Sequence, residues 1–159
     1  MVFINPLTLL VRKIAVKRHA CTAPTCIMPI GDVKRAVVFV DNDADADFAA
    51  KAVKKFFEAY GIPVLIICPQ KWDINLFGWL KKPKLQEAAD FNADLLISLA
   101  GVENFAAEHF VKCTPARFKV GRFELPGNVF DIVISNREHQ LPRQPAAFEI
   151  VKEYLLKIV

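Results

Sequence analysis

Four aspartates crowd into Asp41-Asn42-Asp43-Ala44-Asp45-Ala46-Asp47, directly after the apolar run Ala36 to Val40. Carboxylates so spaced have two uses. Ionised, they offer oxygen ligands to a hard cation such as magnesium, and a carboxylate can attack a phosphoryl group to form an acyl-phosphate. They also solvate a loop, cap the following helix and complement its dipole, which is the commoner use and the favoured one here. In open α/β sheets ligands bind beyond the carboxyl ends of the strands, so three segments that follow apolar runs are candidates: 41–45, 68–71 and 98–104.

Other reactive residue types point less clearly to chemistry. Cys21, Cys26, Cys68 and Cys113 are too few and too unevenly spaced for a disulfide framework. His19, Cys21 and Cys26 lack the second ligand pair of a zinc site. Gly101 is not followed by the Gly-Lys-Ser/Thr of a phosphate-binding loop. His109 falls inside a predicted helix, where a structural role is the ordinary one. Trp72, Trp79, Lys81, Lys82 and Lys84 fit either a nucleic-acid surface or core packing beside a solvated lysine edge, the second being favoured. Asn136 to His139 form a polar cluster able to hold an anion.

The elements that must position these residues follow from apolar patterning. Residues 36–40 and 64–68 are short apolar runs flanking a helix that ends at Gly61 and Pro63, a β-α-β unit with a right-handed crossover. A further strand is expected at 94–99, a helix at 104–112, a strand at 116–120, a strand at 129–135 and a helix opened by Pro145. Only residues 121–128 separate the last two strands, so that pair is expected to be an antiparallel hairpin, which would put Asn136 to His139 at the opposite sheet edge from Asp41. The fold class predicted is α/β, a three-layer Rossmann-like or flavodoxin-like sheet of about five strands, mostly parallel, preceded by a basic amphipathic helix.

That helix is expected over about 6–18, with Asn5 and Pro6 as its start and Leu7, Leu10, Val11 and Ile14 as its apolar stripe. Arg12, Lys13, Lys17 and Arg18 fill much of the remaining surface and are the candidate partner-binding residues. The charge is uneven: residues 1–35 carry a net +5 and the remainder −1. The division predicted is a basic helix and linker at 1–34 and one α/β domain at 35–159. Partners open to the helix are a second copy of the chain, another protein, RNA or anionic lipid. No run reaches the roughly 20 apolar residues of a membrane span, and Arg12 and Lys13 interrupt the apolar start where a secretory signal would continue. A cytoplasmic location is expected.

Three resemblances add expectations. Val37-Val38-Phe39-Val40-Asp41-Asn42-Asp43 resembles the first motif of the haloacid-dehalogenase superfamily of phosphohydrolases. It implies Asp41 as nucleophile, Asp43 as general acid/base, magnesium between carboxylate and phosphate, and Ser98 as a partner of a phosphate oxygen. Asp45 replaces that family's Thr or Val, and no late acidic pair follows an apolar strand. Residues 94–121, with Asp94-Leu95-Leu96-Ile97-Ser98-Leu99 and Ala116-Arg117-Phe118-Lys119-Val120-Gly121, are similar to part of the N-terminal Rossmann-like half of heptosyltransferase-type glycosyltransferases, which implies topology more than activity. Over most of its length the chain resembles a small uncharacterised family of α/β proteins from Bacteroidetes bacteria. Ile4-Asn5-Pro6, residues 72–84, Asp94 to Ile97, Phe118 to Gly121, Phe130 to Ile134 and Tyr154 to Ile158 carry that resemblance, and it implies a fold without an activity. Two functional expectations result: a binding or interaction module with a basic docking helix, and a magnesium-dependent phosphohydrolase using Asp41 and Asp43.

Overall fold

Strands buried on both faces need apolar side chains at every position, and β1 (Ala36–Phe39) and β3 (Leu95–Ser98) are buried throughout. They are neighbours at the centre of a five-stranded sheet of order β2-β1-β3-β4-β5, with β2 at Val64–Ile67, β4 at Phe118–Phe123 and β5 at Ile132–Ser135. The computed structural model describes residues 6–19, 24–102, 104–135 and 142–159. Every strand pair is parallel, with Val38 opposite both Ile66 and Ile97, and Ile97 opposite Val120.

Helices cover both faces. Ala49, Val53 and Phe57 of α2 (Ala46–Ala59) join Phe148, Val151 and Leu155 of α5 (Gln144–Lys157) on one core, with Val38 and Ile97. Ala88 of α3 (Lys82–Phe91) and Phe110 of α4 (Phe105–Cys113) build the other core with Val37, Phe39 and Leu96. Alternate residues of one strand therefore serve two separate cores, the period of two expected of a pleated strand. The expected three-layer α/β architecture is present.

The antiparallel hairpin is not. β5 runs parallel to β4, with Val120 opposite Ile132 and Gly121 opposite Val133. β4 continues to Phe123 and β5 starts only at Ile132, so the connection is residues 124–131. Fully extended, those residues reach about 26 Å, enough to retrace a strand of roughly 15 Å without a helix. The sheet face that a crossover helix would cover is instead covered by Leu125, Val129 and Phe130 from the connection itself. Phe130 lies on Gly121 so closely that a Cβ there would run into its ring.

The amino-terminal helix α1 occupies Pro6–His19 and contacts α4. Arg12 provides much of the attachment: its Nε donates to the Phe77 carbonyl at 2.7 Å, and its guanidinium sits 4.4 Å from the centre of the Phe105 ring. The following segment, expected as a linker, is built against the domain. The Cys26 N–H donates to the Arg117 carbonyl, Thr25 Oγ1 donates to Asp131, and Met28 and Val33 are buried. No described helix is long and apolar enough to cross a membrane.

Gly121→Ala should destabilise the protein by about 1–3 kcal/mol, because the added methyl meets the Phe130 ring rather than a mobile side-chain end. Urea unfolding would measure this, and Gly121→Ala combined with Phe130→Ala should recover part of the overpacking loss.

Candidate functional site

Beyond Phe39 the sheet comes apart at its carboxyl edge. The chain leaving β1 enters α2 on one face, whereas the chain leaving β3 enters α4 on the other. Strand order 2-1-3-4-5 makes the gap between β1 and β3 its topological switch point, where a crevice opens. Asp41 spans it. Its Oδ2 accepts the Gly101 N–H at 2.6 Å, and its Oδ1 accepts Asn104 Nδ2 at 2.5 Å.

The backbone of Asp41 is held from a third direction. Gln144, completely buried in the first turn of α5, accepts the Asp41 N–H with Oε1 at 2.9 Å and donates Nε2 to the Asp41 carbonyl at 3.0 Å. One side-chain amide thus satisfies both backbone groups where the ladder has ended, which removes the cost of burying them unpaired.

Asn104 also has two tasks. Its Oδ1 accepts the Ala107 N–H at 3.0 Å as the cap of α4, while its Nδ2 holds Asp41. The amide accepts through one atom and donates through another; aspartate would set carboxylate against carboxylate.

The remaining acids divide their roles. Asp43 Oδ1 accepts the Asp45 N–H at 2.8 Å. Asp45 itself makes no side-chain cap to α2 and is paired with Arg143 through two hydrogen bonds of 2.6 and 2.5 Å. Capping therefore accounts for less of the acidic run than its sequence suggests. A cleft of about 350 Å³ opens beside it, lined on its polar side by Asp41, Asn42, Asp43, Gln70, Lys71 and Asn104. Asn42 Nδ2 donates to Gln70 Oε1 at 3.0 Å across this cleft.

Arg122, buried at the end of β4, donates Nη1 to the Leu99 carbonyl at 3.0 Å and both Nε and Nη2 to the Pro142 carbonyl. It ties the segment after β3 to the entry of α5. Burial lowers its pKa, while the nearby negative charges of Asp41, Asp43 and Asp45 act the other way and favour its charged form. Cys68, after β2, has its thiol pKa raised by burial first and by Asp41, Asp47 and Asp43 second.

Of the residues nominated from sequence, Asp41 and Asp43 share the cleft. Ser98 is buried within β3, opposite Phe39 and Gly121, and does not line it. Gly101 acts as an amide donor to Asp41. His109 is buried and stacks on Trp79 at 5.3 Å in the wall of a second cleft, about 690 Å³, between α3 and α4. Trp72, by contrast, is 70% exposed. Arg12 serves attachment of α1 and Lys13 is exposed; the side chains of Lys17 and Arg18 lie outside the described residues, as does the whole cluster Asn136 to His139. The parallel direction of β5 removes the reason for assigning that cluster to the opposite sheet edge, because Ser135 ends β5 on the same edge as Asp41. Among the described residues, no group of three or more His, Cys, Asp or Glu is placed to hold a metal.

Sequence reasoning missed Arg122 and Gln144 as site residues, and it nominated Asn104 only as the end of the segment 98–104, without its hold on Asp41. Asn104 carried a signal as the residue opening a predicted helix. Gln144, beside Pro145, had only its position at a helix start, and Arg122 had none.

Residues 11–158 match the model of a family of unknown function, DUF6913. The chain belongs to the DUF6913 family. This agrees with the expected membership of an uncharacterised α/β family. No curated protein matches the DUF6913 chain. Among solved structures it is similar to exonuclease RecJ bound to manganese, with 15% identity and a TM-score of 0.51 over 98% of this chain and 38% of that one. RecJ in complex with Mn2+ from Thermus thermophilus is also similar, with 14% identity and a TM-score of 0.46 over 98% and 22%. The DUF6913 chain thus spans well under half of the RecJ chains. The structural neighbours are RecJ proteins, which replaces the expected likeness to heptosyltransferase-type enzymes; at this identity the likeness concerns the fold.

Asn104→Ser keeps a capping oxygen but loses the separate amide N–H that reaches Asp41, and should cost about 1–2 kcal/mol; Asn104→Asp adds charge repulsion and should cost more. Chemical denaturation of the two variants would show the order. For Cys68 the raised pKa means less thiolate near neutral pH. Its alkylation, mapped by mass spectrometry, should therefore rise with pH later than that of free cysteine at about 8.5, and Asp43→Asn should move the rise toward lower pH.

Proposed function

We propose that this DUF6913 protein is a binding domain that takes a phosphate ester together with a divalent cation in the switch-point cleft, with Asp41 and Asp43 as the cation's protein ligands. The observation that carries this reading is the fixed carboxylate of Asp41. Gly101, Asn104 and Gln144 hold its side chain and backbone, so little side-chain freedom remains to be lost on binding. Each carboxylate oxygen has two acceptor directions, and the two internal hydrogen bonds use one on each.

Two carboxylates suffice for magnesium or manganese when waters and phosphate oxygens complete the shell, so no third acid is required. Lys71 on the cleft wall suits a phosphate, and the amides of Asn42 and Gln70 suit hydroxyl or base groups of an ester. The fold likeness to RecJ bound to manganese supports the choice of cation.

Hydrolysis is a second reading, supported by the description of that neighbour as an exonuclease. The two hydrogen bonds on Asp41 lower its nucleophilicity, which favours Asp41 as a cation ligand over the covalent role implied by the dehalogenase-like motif.

Thermal melting of the full chain with manganese, with a nucleoside monophosphate, and with both would test the binding reading. Cation and ester together should raise Tm by about 5–10 °C near 100-fold saturation, and cation alone should do much less. Asp43→Asn should abolish the joint shift. No shift, or one unchanged in Asp43→Asn, would overturn the assignment; release of phosphate from esters with manganese would separate hydrolysis from binding.

A further inference from the structure

α1 is attached to the domain by one side and turns much of its apolar stripe away from it. Arg12, on the attached side, packs over Phe105, bonds to Phe77 and comes so close to Gly78 that a Cβ at Gly78 would clash with its guanidinium. Val11 is partly buried, but Leu7, Leu10 and Ile14 are 66%, 54% and 54% exposed. Leu9, outside the expected stripe, is 43% exposed as well, so apolar side chains are open to solvent on more than one side of α1 and most of them do not serve the domain's core.

The loop that Arg12 contacts repeats this combination. Leu76 is fully exposed and Phe77 is 41% exposed, and Lys71, Lys81 and Lys82 of the same segment are exposed as well. α1 has no acidic residue at all and carries Arg12, Lys13, Lys17 and Arg18. Exposed large apolar side chains interspersed with cations, on two elements in contact, match the interface of a bilayer with anionic headgroups: leucines and isoleucine enter the acyl boundary while lysines meet lipid phosphates. A second copy is a poorer occupant, since pairing the same face would bring the exposed Lys13 of one copy toward that of the other.

We propose that α1 and the adjoining 71–82 loop form a peripheral docking surface for anionic lipid bilayers, held by partial insertion of Leu10 and Ile14 and by the basic residues around them. Such binding is reversible and weakens with salt, because few apolar side chains are available and much of the attraction is electrostatic. Lys71, which also lines the switch-point cleft, is a residue that the two proposed sites share, and the variants below leave it in place.

Co-sedimentation of the full chain with phosphatidylcholine vesicles, with and without phosphatidylglycerol, tests this directly. Binding to the anionic vesicles should be about tenfold stronger than to the neutral ones and should fall on raising salt from about 0.05 to 0.5 M. The double variants Leu10→Ser/Ile14→Ser and Lys13→Gln/Lys17→Gln should each weaken it about tenfold, again by the apolar and electrostatic contributions respectively. Phe48→Ser, at a residue of α2 that is 73% exposed, should leave it unchanged. Circular dichroism melting reports whether each variant keeps the fold, and the two double variants test the surface by separate chemistry. Equal binding to both vesicles, no binding, or binding that survives in both well-folded double variants would overturn the proposal. So would a dimer, seen by light scattering, that Leu10→Ser/Ile14→Ser dissolves without any vesicle binding by the original chain, or capture of RNA in place of vesicles.

Discussion

The carboxyl edge of this sheet depends on how Asp41 is held. A parallel sheet whose crossovers change direction between its central strands must leave backbone groups without ladder partners there. This chain meets that requirement with side-chain amides: Gln144 completes the backbone of Asp41, and Asn104 together with the Gly101 N–H fixes its carboxylate. β1, the segment after β3, α4 and α5 all meet at one residue. Arg122 adds a second tie of the same kind, from β4 to the carbonyls of Leu99 and Pro142.

Charge at this edge is mixed, although the sequence presents a run of acids. Arg143 neutralises Asp45, Arg122 lies buried within reach of the acids' field, and Lys71 stands on the cleft wall. Asp41 and Asp43 are the carboxylates left facing the cleft. Two acids beside one lysine and several amides suit a ligand that brings both signs of charge, in keeping with the proposed phosphate ester and cation. The same local balance separates this site from α1, whose sequence carries no acidic residue.

Much of the fold was legible because central parallel strands leave an unusual trace. Val37, Val38 and Phe39, or Leu95, Leu96 and Ile97, are apolar without alternation, and α2 carries a broad apolar face ended by Gly61. The direction of β5 was not legible. Val129 and Phe130 look like strand residues, but they belong to a connection that buries them on the sheet in place of a helix. Hydrophobicity records that a residue is covered, not whether it sits in a strand or on one. The site was legible only in part for a related reason. Asp41 and Asp43 announce themselves by composition, whereas the way Asp41 is held is decided by Gly101, Asn104 and Gln144, which no local period connects to it. For α1 the expected stripe does not mark the attached side, since Leu7, Leu10 and Ile14 are exposed while Val11 and Arg12 are partly buried. Which side of the helix meets the domain is set by Arg12 and the aromatic residues beneath it, a specific contact that an average over residue types does not register.

The pairing of Asp41 with Gln144 joins positions 103 apart in sequence. Contacts of such separation close large loops and come late, after local helices and neighbouring strands have formed. During synthesis, β1 to β4 can be in place while the backbone of Asp41 still lacks its amide partner from α5. The hold on the Asp41 backbone is thus a late product of folding, whereas the partners of its carboxylate, Gly101 and Asn104, stand before β4 in the chain.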